Sequence, residues 1–220
     1  MIQLIAFLGN YGREYEHTRH NAPWLFADSL PFASRLVWTE KYKGYFCSVD
    51  YMIFAGWLSE YGLLAPRADG SLPLPAQAPR NLSFLKPLTY MNLSGEAVGE
   101  AARFFKIAPS DILIVHDEIE LPMGTVSFKW SGGLGGHNGL RSVKTVLGTA
   151  DFWRLRFGVG KPTNVAVANH VLGNFTADED IILSQVFPQA AVLFAKILCS
   201  ASPERLIPEW GKKKLMAEKA

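Results

Sequence analysis

Ile2-Gln3-Leu4-Ile5-Ala6-Phe7-Leu8, stopped by Gly9-Asn10-Tyr11-Gly12, is the stretch that decides the fold. An almost continuous apolar run of strand length, closed by a turn, is the pattern of a strand buried on both faces of a parallel sheet. A parallel partner requires a crossover, most often a helix. Asn21–Leu30 supplies one, with Ala22, Leu25, Phe26 and Leu30 near helical spacing and Pro31 ending it. Tyr45–Val49 reads as a strand, whereas Tyr51–Trp57 is apolar without a clear period. Phe84–Leu88 is a short strand leading to Tyr90-Met91-Asn92, and Ser94 is placed to cap a helix reaching about Phe105. Asp111–Val115 is a second buried strand that delivers His116-Asp117-Glu118 at its carboxyl end. Thr125–Trp130 reads as a strand, Ser131–Gly139 as a glycine-rich turn and Asn138–Leu147 as a helix. Arg154–Val159 reads as a further strand and Asp178–Leu198 as the last long helix. The alternation predicts a single α/β domain over residues 1–220, with a twisted, mixed but largely parallel sheet flanked by helices.

The 220 residues are 49% hydrophobic and 19% charged, with a net charge of +2, which excludes a disordered chain and disfavours a uniformly basic nucleic-acid binder. Cys47 and Cys199 lack CxxC spacing, which speaks against a disulfide scaffold or thiolate metal site and fits a reducing, cytoplasmic setting. Met1–Leu8 has no basic flank or small-residue cleavage site, so it is not read as a leader, and no apolar run reaches the ~18 residues of a membrane span. Pro66, Gly70, Pro73, Pro75 and Pro79 mark an insertion around residues 58–80 that reads as a surface excursion. The Lys212-Lys213-Lys214 run reads as a frayed tail.

In open α/β sheets ligands bind beyond the carboxyl ends of the strands, where Asn10, Asn92 and Asp117 fall. Singly, each is more often a helix cap or Asx-turn; together they mark one edge of the sheet. His20 opens the first helix, and imidazole is the side chain best suited to take a proton from water near neutral pH. Asp117 is the carboxylate best placed to orient it. GxSxG, GxxxxGK[ST], GxGxxG and HExxH are all absent, and the HxE at His116-Asp117-Glu118 has no PCxxC to follow it, so metal and nucleotide-cofactor chemistry find no support. The neutral total hides a local excess. Between Leu121 and Thr163 stand six cations, Lys129, Arg141, Lys144, Arg154, Arg156 and Lys161, against Asp151 alone. Beside a glycine-rich turn that opens a helix, they suit phosphate.

Four long motifs, in order, resemble the bacterial peptidyl-tRNA hydrolase family. They are Gly9-Asn10-x-Gly12-x-x-Tyr15-x-x-Thr18-Arg19-His20-Asn21, Lys86-Pro87-x-Thr89-Tyr90-Met91-Asn92-Leu93-Ser94-Gly95, His116-Asp117-Glu118-x-x-x-Pro122-x-Gly124 and Gly132-Gly133-x-Gly135-Gly136-His137-Asn138-Gly139-Leu140-Arg141-Ser142. The resemblance implies hydrolysis of the ester joining a peptide to the terminal ribose of tRNA, by a cytoplasmic monomer without metal or cofactor. It implies His20 as general base and Asp117 as its orienting partner, with Asn10 and Asn92 positioning adenosine and peptide, or water and oxyanion. Met91 would line the peptide channel, Asn138 would hold water or substrate, and Tyr15 and Tyr90 would contact substrate. Lys129, Arg141 and Lys161 would hold the acceptor arm. Tyr11 departs from the family's usual proline and is expected to leave Asn10 less rigid, while the 58–80 insertion is placed to shade the site. A non-catalytic RNA-binding protein and a small-ester hydrolase are the alternatives. The first is opposed by the retention of Asn10, His20, Asn92 and Asp117, the second by the cationic patch.

Overall fold

A computed structural model describes residues 1–216. In chain order its regular elements are β1 (Leu4–Phe7), α1 (Ala22–Ser29), β2 (Thr39–Lys41), β3 (Gly44–Asp50), α2 (Tyr51–Glu60), β4 (Asn81–Pro87), α3 (Ser94–Phe105) and β5 (Ile112–Glu118). They continue with β6 (Thr125–Trp130), α4 (Asn138–Leu147), β7 (Trp153–Gly158), α5 (Val167–Val171), α6 (Ala177–Leu198), α7 (Ile207–Trp210) and β8 (Lys213–Lys214). The strands form one mixed sheet in the order β2-β3-β4-β1-β5-β7-β6-β8. Its four central strands, β4-β1-β5-β7, are parallel, and the pairings outside them are antiparallel. The parallel character therefore belongs to the centre of the sheet, where the two near-continuous apolar runs lie.

Those runs are apolar on every residue because helices cover both faces. Ile5 and Phe7 of β1, with Leu113 and Val115 of β5, pack into the core beneath α1, α2 and α6. Leu4 and Ala6, with Ile112 and Ile114, pack into a second core beneath α3 and α4. Among the described residues α6 is long and apolar enough to cross a membrane, yet its Leu183, Val186, Phe187, Ala190 and Phe194 are buried in the domain. Its first turn carries Asp178, Glu179 and Asp180, which suit the positive helix terminus.

Three local expectations change. Ser94 is the first helical residue of α3 and caps nothing; its hydroxyl donates to the Met91 carbonyl at 2.9 Å. Lys213 and Lys214 are no frayed tail, because β8 pairs with Thr125 and Val126 of β6, and Lys213 lies 2.7 Å from Glu209 and over the Trp210 ring. The Pro-rich stretch runs between α2 and β4 without helix or strand, but Pro75, Ala76, Gln77 and Pro79 lie beside Met1 and Gln3. That is the amino end of β1, so the segment shades nothing at Asn10.

Candidate active site

β1 lies between β4, which precedes α3, and β5, which follows it, so the carboxyl ends of the three strands meet where the order of connection reverses. A cavity of about 550 Å3 opens there. One side is built from Asn10, Tyr15, His20, Tyr90, Met91 and Asn92, another from Asp117, Glu118, Gly135, Gly136, His137 and Asn138, and an apolar wall from Ile119, Val167, Ala168, Val171 and Leu172.

His20 sits in the turn Arg19–Asn21 that leads into α1, and Asp117 is the penultimate residue of β5. The His20 Nδ1 lies 2.9 Å from Oδ1 and 3.0 Å from Oδ2 of Asp117, with His20 9% and Asp117 1% exposed. A second histidine joins them. His137 occupies the N-cap of α4, where its Nδ1 accepts from the backbone N–H groups of Gly139 at 3.1 Å and Leu140 at 3.3 Å. A backbone N–H can only donate, so Nδ1 is the acceptor, the ring proton is on Nε2, and Nε2 donates to Asp117 Oδ1 at 2.9 Å. Sequence reading attached no role to His137; its position immediately before a helix, where Ser, Thr, Asp or Asn is usual, was the available signal.

Burial pushes the Asp117 carboxyl up, but the hydrogen bonds of His20 and His137, with their positive charge wherever the rings are protonated, outweigh it and hold the group well below the usual carboxylate range. A carboxylate kept ionised fixes the proton of His20 on Nδ1. That leaves Nε2 as the lone-pair nitrogen of a ring lining the cavity. His116, fully buried, donates from Nδ1 to the Asp117 carbonyl at 2.6 Å and lies edge-on to the His137 ring at 5.0 Å. Burial, with His137 adding to it, pushes its pKa well below the usual imidazole value. His20, Asp117 and His137 offer ligand atoms within 4.8 Å of one another. They do not suit a cation, because a metal would need the Nε2 of His137 deprotonated and its Nδ1–H turned into two backbone donors.

Asn10 is held by reciprocal bonds to Asn21. Its N–H donates to Asn21 Oδ1 at 2.8 Å, and Asn21 Nδ2 donates to its carbonyl at 3.0 Å. The Met91 N–H donates to Asn10 Oδ1 at 2.7 Å, which turns Asn10 Nδ2 into the group available to a ligand. With Tyr11 in place of proline, Asn21 supplies the rigidity from outside the turn. Met91 is buried against the start of α4, where a Cβ at Gly139 would come within 2.5 Å of its Sδ, so a side chain there would push Met91 aside. Tyr15 and Tyr90 meet edge-to-face at 6.4 Å, with Tyr90 exposed. Asn92 and Asn138 are exposed at the rim, and Asn138 Oδ1 accepts from Arg141 at 3.2 Å.

The six cations divide. Arg154 is 1% exposed and donates to the carbonyls of Gly133 at 2.6 Å and Gly132 at 2.9 Å. Arg156 donates to Ser127 at 2.6 Å and to Glu118 at 3.3 Å. Arg141 and Lys144 are exposed on α4, Lys129 is half-buried, and Lys161 pairs at 2.9 Å with the exposed Glu120. Lys129, Arg141 and Lys161 stand outside the cavity lining. The wall contributed by α5 escaped sequence reading, since five residues are too few to show a helical period.

A family model described as peptidyl-tRNA hydrolase matches residues 4–217. The peptidyl-tRNA hydrolase of Treponema pallidum (strain Nichols) is 42% identical over 224 residues, covering 98% of this chain and 98% of its own. That of Desulfitobacterium hafniense (strain Y51) is 38% identical over 199 residues, covering 89% and 94%. Among solved structures, peptidyl-tRNA hydrolase from Acinetobacter baumannii matches with a TM-score of 0.75 at 30% identity, over 96% of this chain and 94% of that one.

Proposed function

The chain belongs to the peptidyl-tRNA hydrolase family and hydrolyses peptidyl-tRNA, returning tRNA to use, and we propose that a water activated by His20 carries out the reaction. The observation that carries this reading is the pair of histidines on Asp117, which leaves His20 Nε2 as a base beside the cavity. Nε2 takes a proton from water as the water oxygen attacks the ester carbonyl carbon. The same proton then passes to the 3′ oxygen as the ester bond breaks. A ribose hydroxyl leaves more readily than an amine, so no covalent nucleophile is required. Asn10 Nδ2 donates to the oxyanion, and removal of one such donor costs about 10²–10³ in rate.

Tyr15 and Tyr90 pack against the terminal adenosine, Met91 and the α5 wall receive the peptide, and Asn92 and Asn138 hydrogen-bond at the rim. Arg141, Lys129 and Lys161 lie along the acceptor arm, and the exposed Arg141, bonded to Asn138 at the rim, supports that placement. We read the enzyme as a cytoplasmic monomer that works without a metal. One chain supplies every group in the scheme, and both cysteines are buried and unpaired. The test is release of tRNA from an N-blocked aminoacyl-tRNA by His20→Ala, checked for folding by circular dichroism. Loss of release is expected; an unchanged rate removes His20 from the mechanism.

A further inference from the structure

We infer that Arg154 is a positioning residue that holds the glycine-rich loop in the shape that brings His137 onto Asp117, although its charge and place in the sequence suggest a phosphate contact. The inference rests on the catalytic arrangement proposed above. Within β7 the order Trp153-Arg154-Leu155-Arg156-Phe157 turns Trp153, Leu155 and Phe157 into the core and both arginines to the other face. There the guanidinium of Arg154 lies 4.9 Å over the Phe152 ring and is 1% exposed, out of reach of any RNA backbone.

Its two terminal nitrogens donate to consecutive carbonyls, Gly133 at 2.6 Å and Gly132 at 2.9 Å. The loop they hold has little stiffness of its own. Gly132, Gly135 and Gly136 all take positive φ, and Ser131 does so as well. From Gly133 the geometry passes along the chain. The next carbonyl, that of Leu134, accepts the His137 N–H at 2.9 Å, His137 caps α4, and its Nε2 donates to Asp117. A planar, charged fork that bridges two carbonyls constrains both position and orientation, which a single ammonium cannot do.

The experiment compares wild type with Arg154→Lys, measuring kcat and KM on an N-blocked aminoacyl-tRNA across a series of salt concentrations. Lysine keeps the charge and loses the fork. Misplacing the loop should lower kcat by about a hundredfold, the scale of a small displacement in an active site. The fall of log(1/KM) with log salt should keep its slope, because no phosphate contact is lost. A slope smaller by about one, with or without a change in kcat, assigns Arg154 to phosphate and overturns the inference. So does an unchanged kcat. If Arg154→Lys does not fold, Phe152→Leu loosens the guanidinium from beneath and is read by the same two measurements. Failure of the catalytic arrangement itself is seen separately, as an unchanged rate in His20→Ala.

Discussion

His137 Nε2 lies 2.9 Å from Oδ1 of Asp117, the same oxygen that His20 Nδ1 approaches at 2.9 Å. The carboxylate is therefore held by a donor that belongs to a helix cap as well as by His20, the base of the proposed scheme. His137→Ser separates the two duties, since a serine caps the helix and cannot reach Asp117. Its melting temperature should stay within a few degrees of wild type, whereas His137→Ala should lose about 1 kcal/mol with the cap. Both should lower kcat about tenfold or more, as expected for a lost positioning contact. A His137→Ser enzyme with full kcat would show that the second hydrogen bond is idle. Asp117→Asn should cost far more, about 10⁴-fold in kcat, because an amide no longer fixes the proton of His20 on Nδ1.

Asn21 should matter to the rate without touching substrate. Its carboxamide makes both bonds that fix the Asn10 backbone, at 2.8 and 3.0 Å, and it is 1% exposed. Asn21→Ala leaves two buried backbone groups unpaired, a cost of about 1–3 kcal/mol each in stability. Urea denaturation measures that loss. kcat should fall with KM nearly unchanged, since Asn10 Nδ2 acts on the oxyanion in the proposed scheme. A change confined to KM would place Asn10 on the ground-state substrate instead.

The sheet centre was legible because β1 and β5 are covered on both faces, and such strands announce themselves as unbroken apolar runs. α2 was less so: Tyr51, Phe54, Ala55 and Leu58 are its buried face, yet Met52, Ile53 and Trp57 are apolar too, and the period is drowned. β8 gives no signal at all, since two lysines are too short a run to show a strand period, and they join β6 by strand pairing. At the site, Asp117 could be read from its place at a strand end and His20 from its place at the start of the first helix. The role of His137 could not, because it depends on which ring nitrogen the backbone of Gly139 and Leu140 engages. Summed charge likewise hid that β7 turns Arg154 inward.

Salt dependence should sort the remaining cations. Arg141 and Lys144 are exposed on α4, so replacing each with alanine should reduce the salt slope of 1/KM by about one if it meets a phosphate. Lys161 already pairs with Glu120 at 2.9 Å, so Lys161→Ala should give a smaller reduction. A slope insensitive to all three would move the acceptor arm away from this face. Steady-state kinetics at several salt concentrations decides between these outcomes, with kcat as the internal control.

His116 should make the fold sensitive to mild acid. Burial, then His137, depresses its native pKa well below the usual imidazole value, so below about pH 6.5 the unfolded chain binds a proton that the native state refuses. Stability from this group is complete above that pH. It is lost as pH falls toward the native pKa, at up to about 1.4 kcal/mol per pH unit. Asp117 also has a depressed pKa, but as a carboxyl its contribution is lost only below about pH 4. The two windows are thus separable. Urea midpoints between about pH 5 and 7 should slope for wild type and flatten in His116→Gln, which cannot titrate. Asp117→Asn should change the slope below about pH 4. Equal slopes for wild type and His116→Gln between about pH 5 and 7 would mean that the buried imidazole is not what resists protonation.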